Sequence, residues 1–290
     1  MNEHAAPLLE AAEEVLHGSG RLAGDVPDRV RVGVDLGTAT MVLLVADSSG
    51  RPLAGRMRRA TVVRDGLVVD FIGAVDILEA MKGDVEAELG ISLTQAASGY
   101  PPGVAPAEVQ AIAHVLGNAG LDCTELIDEP TAANRVLGIS DGVVVDIGGG
   151  TTGIAIFQDG EVAYTADEAT GGTHFDLVIA GGLGIEVEEA RQMKETAAQQ
   201  TRLMGSIRPV IEKVGAIIRR HIEGWPVNQI YLVGGTAEFN GLPAVIADYT
   251  GLPVTLAPHA QLVTPLGITL AASDQAVLPV TSTVVSWSRS

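Results

Sequence analysis

Apolar positions along the chain follow two rhythms: short apolar runs closed by glycine turns, and longer stretches in which apolar residues return every three or four positions. The first rhythm predicts strands at 32–34 and 41–46, joined by the turn Asp35-Leu36-Gly37-Thr38 and followed by a turn at 47–50. It recurs at 143–145 and 153–157, joined by residues 146–151 and followed by a turn at 158–160. Further strands are expected at 94–98, around Leu126 and Ile127, and at 230–233. The second rhythm predicts helices over 74–88 and 242–249 and another carrying Ile207, Val210, Ile211, Val214, Ile217 and Ile218. Pro106 and Pro130 each open a further helix, the first with Val109, Ile112, Ala113 and Leu116 on one face. Strand and helix alternate throughout, which places the chain in the α/β class, with sheets covered by helices.

Residues 1–29 stand apart. Leu8, Leu9, Ala12, Val15 and Leu16 fall at helical spacing opposite Glu10, Glu13 and Glu14, and the pattern breaks at His17, Gly18, Ser19 and Gly20. Two readings follow: a helix packed on its own domain, which is favoured, or a tethered helix that docks a partner.

The two glycine hairpins are copies of one sentence. Asp35 aligns with Asp146, and the match extends over about 17 positions with a one-residue difference in the closing turn. An offset of this size is too long for a solenoid repeat and suits two duplicated domains. The length of 290 residues agrees with two lobes sharing a cleft.

Composition narrows the partners. Eighteen Lys and Arg against 36 Asp and Glu give a net charge of -18, which repels nucleic acid and anionic lipid surfaces. The single cysteine, Cys123, can form neither an internal disulfide nor a multi-thiolate metal site, which points to a reducing, cytoplasmic compartment. No apolar run approaches the ~20 residues of a membrane span. The six histidines show no metal-ligand spacing, and Arg58 and Arg59 read as a solvated strand edge.

Much of the excess glycine, 35 residues, sits in loops with chemical potential. An Asp at a strand end followed by a glycine turn offers a carboxylate to a cation and successive backbone N–H groups to an anion. With the duplicated halves face to face, Gly37, Thr38, Gly148, Gly149, Gly150, Thr151 and Thr152 would cradle a polyphosphate. Asp35 and Asp146 would hold Mg2+ largely through its water shell. A third glycine element, Gly234 and Gly235 before Thr236, follows an apolar strand and would let a flat ligand or a ribose approach. A fourth, Gly171 and Gly172 before Asp176, fits a phosphate-proximal turn.

These motifs together resemble the superfamily of actin, sugar kinases and DnaK-type chaperones. Residues 35–38 are similar to its first phosphate loop, 129–133 to its first connecting helix, and 146–151 to its second phosphate loop. Gly234 and Gly235 are similar to its adenosine loop, and Gly267 to its second connecting helix. The motifs occur in the family's order from Val30 to Ala272. A narrower resemblance, carried by residues 63–67, Asp70, Phe71, 100–103, 146–156 and 167–172, is to the EutJ family of DnaK-like proteins, regarded as chaperones of the ethanolamine microcompartment pathway. The resemblance implies two duplicated actin-like (ribonuclease H-like) domains, 30–141 and 142–263, with 264–290 returning to the first and ATP or ADP with Mg2+ in the cleft between them. It also implies that Glu129 lies near the metal and the attacking water, with Asp146 the second catalytic carboxylate. Ethanolamine-pathway enzymes or microcompartment proteins are the implied partners, and residues 1–29 are the segment that would dock them.

Three departures shape the expected activity. DnaK-type proteins carry a catalytic lysine in the first domain, but no lysine lies between Asp35 and Asp70 here, so any hydrolysis is expected to be slow. The Glu-x-x-Lys pair that contacts ribose in relatives is replaced by Arg191 and Lys194. The chain after Ala272 is too short for a DnaK-style peptide clamp. A nucleotide-dependent chaperone or reactivating factor is therefore the leading reading. An actin-like assembly-forming ATPase, for which residues 1–29 are the candidate contact, is the alternative. A small-molecule kinase is disfavoured because aromatics are only 3% of the chain. The oligomeric state stays open.

Overall fold

The computed structural model describes residues 5–17, 26–64 and 66–279. Gly18, Ser19 and Gly20 of the expected tether, Asp65, and the chain from Val280 onward lie outside the described residues.

Two sheets share one plan. In the first, β1 (Arg29–Leu36), β2 (Thr40–Asp47) and β3 (Pro52–Arg59) form an antiparallel meander. On the other side of β1 lie β4 (Gln95–Tyr100) and β5 (Asp122–Asp128), both parallel, giving the order β3-β2-β1-β4-β5. The second sheet repeats this order with β6 (Gly142–Ile147), β7 (Thr152–Gln158), β8 (Glu161–Glu168), β9 (Ile230–Val233) and β10 (Val254–Leu256), as β8-β7-β6-β9-β10. Pairing repeats to the residue: Asp35 and Asp146 each stand one place before the last residue of the leading strand. The parallel crossovers require intervening helices, which explains the alternating rhythm of the sequence.

Strand alternation decides which core each side chain enters. Met41, Leu43 and Val45 face outward onto α2 (Phe71–Leu89) and α3 (Pro106–Asn118). Val143, Val145, Ile154 and Ile156 likewise face α5 (Gly172–Leu183) and α7 (Ala197–Ile222), beside α6 (Val187–Glu195) and α8 (Leu242–Thr250). The intervening residues Leu44, Val144 and Ala155 face inward into a third core shared by both sheets. That core is filled by α4 (Glu129–Leu137) and α9 (Ala260–Ala271), which cross where Gly267 meets Ala132. Asp128 caps α4 by accepting from the Thr131 N–H at 3.0 Å, and Gly138 ends it at φ 63°. Beyond α9 the chain pairs Gln275 and Ala276 with β1.

Two helices sharpen the expectations. The buried face of α3 is centred on Ile112, Val115 and Leu116, which join the core with α2, while Val109 and Ala113 are only half-buried at its edge. More consequentially, α1 (Ala5–His17) is a packed element, as the favoured reading had it, and not a helix held away from the fold for docking. Ala5, Leu9, Ala12 and Val15 are buried in the third core against Leu44, α4 and α9, and Leu16 lies over Gly55 of β3. The stripe is thus committed to the fold along Ala5, Leu9, Ala12 and Val15, with Leu8 and Leu16 partly buried at its edge.

Candidate functional site

The site forms where the strand ends of both sheets meet. Each glycine hairpin is tight: a Cβ on Gly37 would lie 2.7 Å from the Thr40 carbonyl oxygen. The two hairpins touch across the lobes. A Cβ on Gly149 would fall 2.9 Å from that of Ala39, and one on Gly150 would fall 2.8 Å from Thr38 Oγ1. Only glycine permits so close an approach.

The second hairpin is fixed from behind by donors to its carbonyls. Gly148 O accepts from Gly172 N at 3.0 Å and from Thr236 Oγ1 at 2.8 Å. Gly149 O accepts from Thr173 N at 2.8 Å and from Thr173 Oγ1 at 2.9 Å. Thr152 is fully buried, and its hydroxyl donates to Thr170 O at 2.6 Å, so it braces the loop instead of facing the cleft. The N–H groups of Gly149 and Gly150 have no acceptor among the described residues, which leaves an anion-binding tip of the kind successive backbone amides provide.

Three carboxylates converge beside these tips. Asp146 is buried and accepts from the Thr264 hydroxyl of α9 at 2.5 Å. Gly234, at φ 88°, lies on the same carboxylate: a Cβ there would sit 2.3 Å from Asp146 Oδ1. Burial, reinforced by the charge of Asp146, pushes Asp35 up to about 7. Glu129, the first residue of α4, is pushed well above the carboxylate range by burial and then by Asp35, Asp146, Asp167 and Asp128. Burial also raises Asp146, against the opposing pull of the Thr264 hydroxyl. A cluster that resists ionisation in this way calls for a positive charge among its members.

The remaining expected residues join this site from its far side. Lys194 donates from Nζ to Gly172 O at 3.0 Å and pairs with Asp176 at 2.7 Å, and a Cβ on Gly172 would lie 2.5 Å from Thr236 Oγ1. Burial nonetheless raises Asp176, outweighing Lys194. Gly171 packs on the Gly148 and Gly149 carbonyls, and Gly235 opens the short turn Gly235–Glu238 beside Gln261. Arg191 is not brought in; it pairs with Glu188 on its own helix. Thr264 and Thr236 were missed as site residues. The Gly-Gly-Thr triplet carries a signal for Thr236, but nothing local marks Thr264 as the partner of a carboxylate 118 positions away.

Among the described residues no group of three or more His, Cys, Asp or Glu could hold a metal ion directly. A cation between Asp35 and Asp146 would thus be held through water and the oxygens of an anion at the hairpin tips, which is how Mg2+ is commonly bound.

Twin sheets of identical order, crossing helices at their junction and facing glycine hairpins define the actin-like ATPase fold. Consistent with this, residues 143–277 match the profile of the Cell division protein FtsA family, and residues 53–183 match the MreB/Mbl protein profile. The chain is 42% identical over 247 residues to the ethanolamine utilization protein EutJ of Salmonella typhimurium, covering 85% of this chain and 86% of that protein. It belongs to the EutJ family. The crystal structure of EutJ from Carboxydothermus hydrogenoformans superposes with a TM-score of 0.86 at 44% identity, covering 92% of this chain and 99% of the other. An MreB protein of Spiroplasma citri bound to AMPPNP superposes with a TM-score of 0.70 at 18% identity, covering 83% and 95%, which is a likeness of fold.

Proposed function

We propose that the cleft binds ATP or ADP together with Mg2+, that ATP is hydrolysed slowly, and that the resulting opening and closing of the lobes serves the enzymes of ethanolamine utilisation as a chaperone or reactivating factor. The observation that carries the reading is the abutment of two duplicated hairpins, each ending its leading strand in a carboxylate, Asp35 and Asp146, with Asp146 close enough for its charge to raise Asp35. The donor set fits the group: carboxylates whose ionisation is opposed by desolvation and mutual charge, beside N–H tips lacking an acceptor.

In this reading Gly37, Thr38, Gly148, Gly149, Gly150 and Thr151 bind the phosphates, and Thr152 holds their loop in shape. Gly234, Gly235 and Lys194 border the nucleoside, with Gly171 and Gly172 supporting the loop between. Bound Mg2+ would neutralise Asp35 and Asp146 and draw charge from the phosphate oxygens. Glu129 orients the attacking water and, ionised once a cation offsets Asp35 and Asp146, accepts its proton. The crossing of α4 and α9 provides the hinge, since both helices run from one lobe to the other.

Family membership supports the pathway, and the AMPPNP-bound MreB protein supports the ligand class. The assembly-forming alternative is weakened, because Ala5, Leu9, Ala12 and Val15 of its candidate contact are buried inside the fold. The client reading is tested by adding the protein to inactivated ethanolamine-pathway enzymes and following recovered activity with and without ATP. ATP-dependent recovery that disappears in Glu129→Gln is expected; no recovery by the wild type with ATP would remove the chaperone role, and equal recovery by the variant would remove its dependence on hydrolysis.

A further inference from the structure

We infer that Arg59 is a latch between the lobes that exchanges its partner when a polyphosphate enters the cleft: Glu195 holds it in the ligand-free protein, and a terminal phosphate takes it over. The inference rests on the nucleotide reading and adds the regulation of that site.

Arg59 closes β3 directly beside the first glycine hairpin. It is paired in register with Thr40, and the next residue, Ala60, donates its N–H to Ala39 O at 3.2 Å. Residues opposite one another in an antiparallel pair share a face of the sheet, and alternation along β2 puts Thr40 on the inward face with Leu44. Arg56 and Arg58 instead reach α2 of their own lobe, where they pair with Glu88 and Asp84, both at 2.7 Å. Among the described basic residues between 35 and 70, Arg59 alone forms an ion pair with the second lobe. Its guanidinium grips both carboxylate oxygens of Glu195, one at 3.2 Å and the other closer.

The partner is placed to transmit the exchange. Glu195 is the last residue of α6 and follows Lys194, which holds Gly172 O and Asp176 beneath the second hairpin. Releasing Glu195 therefore reaches the end of this helix, while Lys194 keeps its own contacts on the nucleoside side of the site. Both side chains are about half exposed, at 55% and 41%. A pair so exposed is weak, so it holds the lobes only lightly. A terminal phosphate, with more charge and three acceptor oxygens, outcompetes one carboxylate for a guanidinium. Glu188 lies near enough to contribute to the field at Arg59 and gives the released guanidinium a second acidic neighbour.

Exchange makes a prediction that a simple clasp does not: removing either end of the latch should change affinity in opposite directions. Calorimetry at low ionic strength, with Mg-ATP and with AMP as probes, should find Glu195→Gln binding ATP roughly two- to fivefold more tightly, because Arg59 is released in advance. Arg59→Gln should bind ATP about tenfold more weakly, and AMP binding should be unchanged in both variants. If both variants shift ATP and AMP affinity together in one direction, the pair is only a structural clasp and the exchange is wrong. Unchanged variants in a protein whose wild type binds ATP overturn the exchange alone. A wild type that binds neither probe overturns the nucleotide reading and the exchange with it.

Discussion

The crossing of α4 and α9 sets the relation between the lobes, and Gly267→Ala tests it. A Cβ at this position would lie 1.9 Å from the Ala132 carbonyl oxygen and 2.4 Å from its carbon. A comfortable contact needs well over an ångström more. The obstacle is the backbone of another helix and not the end of a flexible side chain, so the helices must separate. Overpacking of a tight core costs about 1–3 kcal/mol, and a backbone-to-backbone clash at the hinge belongs at the upper end. Against this, alanine is favoured over glycine inside a helix by ~1 kcal/mol. The net expectation is a loss of about 2 kcal/mol or more, equivalent to a fall in Tm of roughly 4 °C or more for a chain of this size. Gly181→Ala in α5 is the matched control, since no atom lies within 4 Å of its Cβ position. It should stabilise by about 0.5–1 kcal/mol. Urea and thermal unfolding of both variants decide the matter. A Gly267→Ala protein as stable as its Gly181→Ala counterpart would refute the close crossing.

Other outcomes follow from the same physics. Leu9→Ala, which empties a fully buried position between α1 and the third core, should cost about 2–5 kcal/mol, measured by urea unfolding; a negligible cost would return α1 to the docking reading. Glu129→Gln should leave Mg-ATP affinity near wild type while single-turnover hydrolysis falls at least about a hundredfold; equal loss of both would mean a structural role. Because Asp35 is raised from 3.8 to about 7, the folded, ligand-free protein holds a proton that the unfolded chain has released between those values. Its contribution is thus complete below the unfolded value and lost as pH rises through 7, so Tm should fall from pH 5 to pH 8. Asp35→Asn should flatten that fall, and an unchanged pH profile in this variant would contradict the assignment.

The site was most legible where its chemistry is local. An Asp followed by a glycine turn writes its geometry into four consecutive residues, and its recurrence exposed the duplication before any contact was known. Helix α1 was half legible: the spacing of Leu9, Ala12 and Val15 specifies an amphipathic helix, but its seat is assembled from Leu44, α4 and α9, which are remote in sequence. Thr264 and Arg59 were opaque for the same reason. Each acts on a partner more than a hundred positions away, Asp146 and Glu195, and no periodicity encodes such a pairing. The short hairpin that pairs Val63 and Arg64 with Leu67 and Val68 also went unread, because two-residue strands are too brief to show alternation.

The central claim is that the two hairpins and their carboxylates form one site for a magnesium nucleotide. Its most direct measurement is titration calorimetry of the full chain with ATP and ADP, each with and without Mg2+, repeated on Asp146→Ala. Wild type should bind both nucleotides, more tightly when Mg2+ is present, and Asp146→Ala should lose the Mg2+-dependent part of that affinity. A folded wild-type protein that binds neither nucleotide, or whose affinity ignores both Mg2+ and Asp146, would contradict the account.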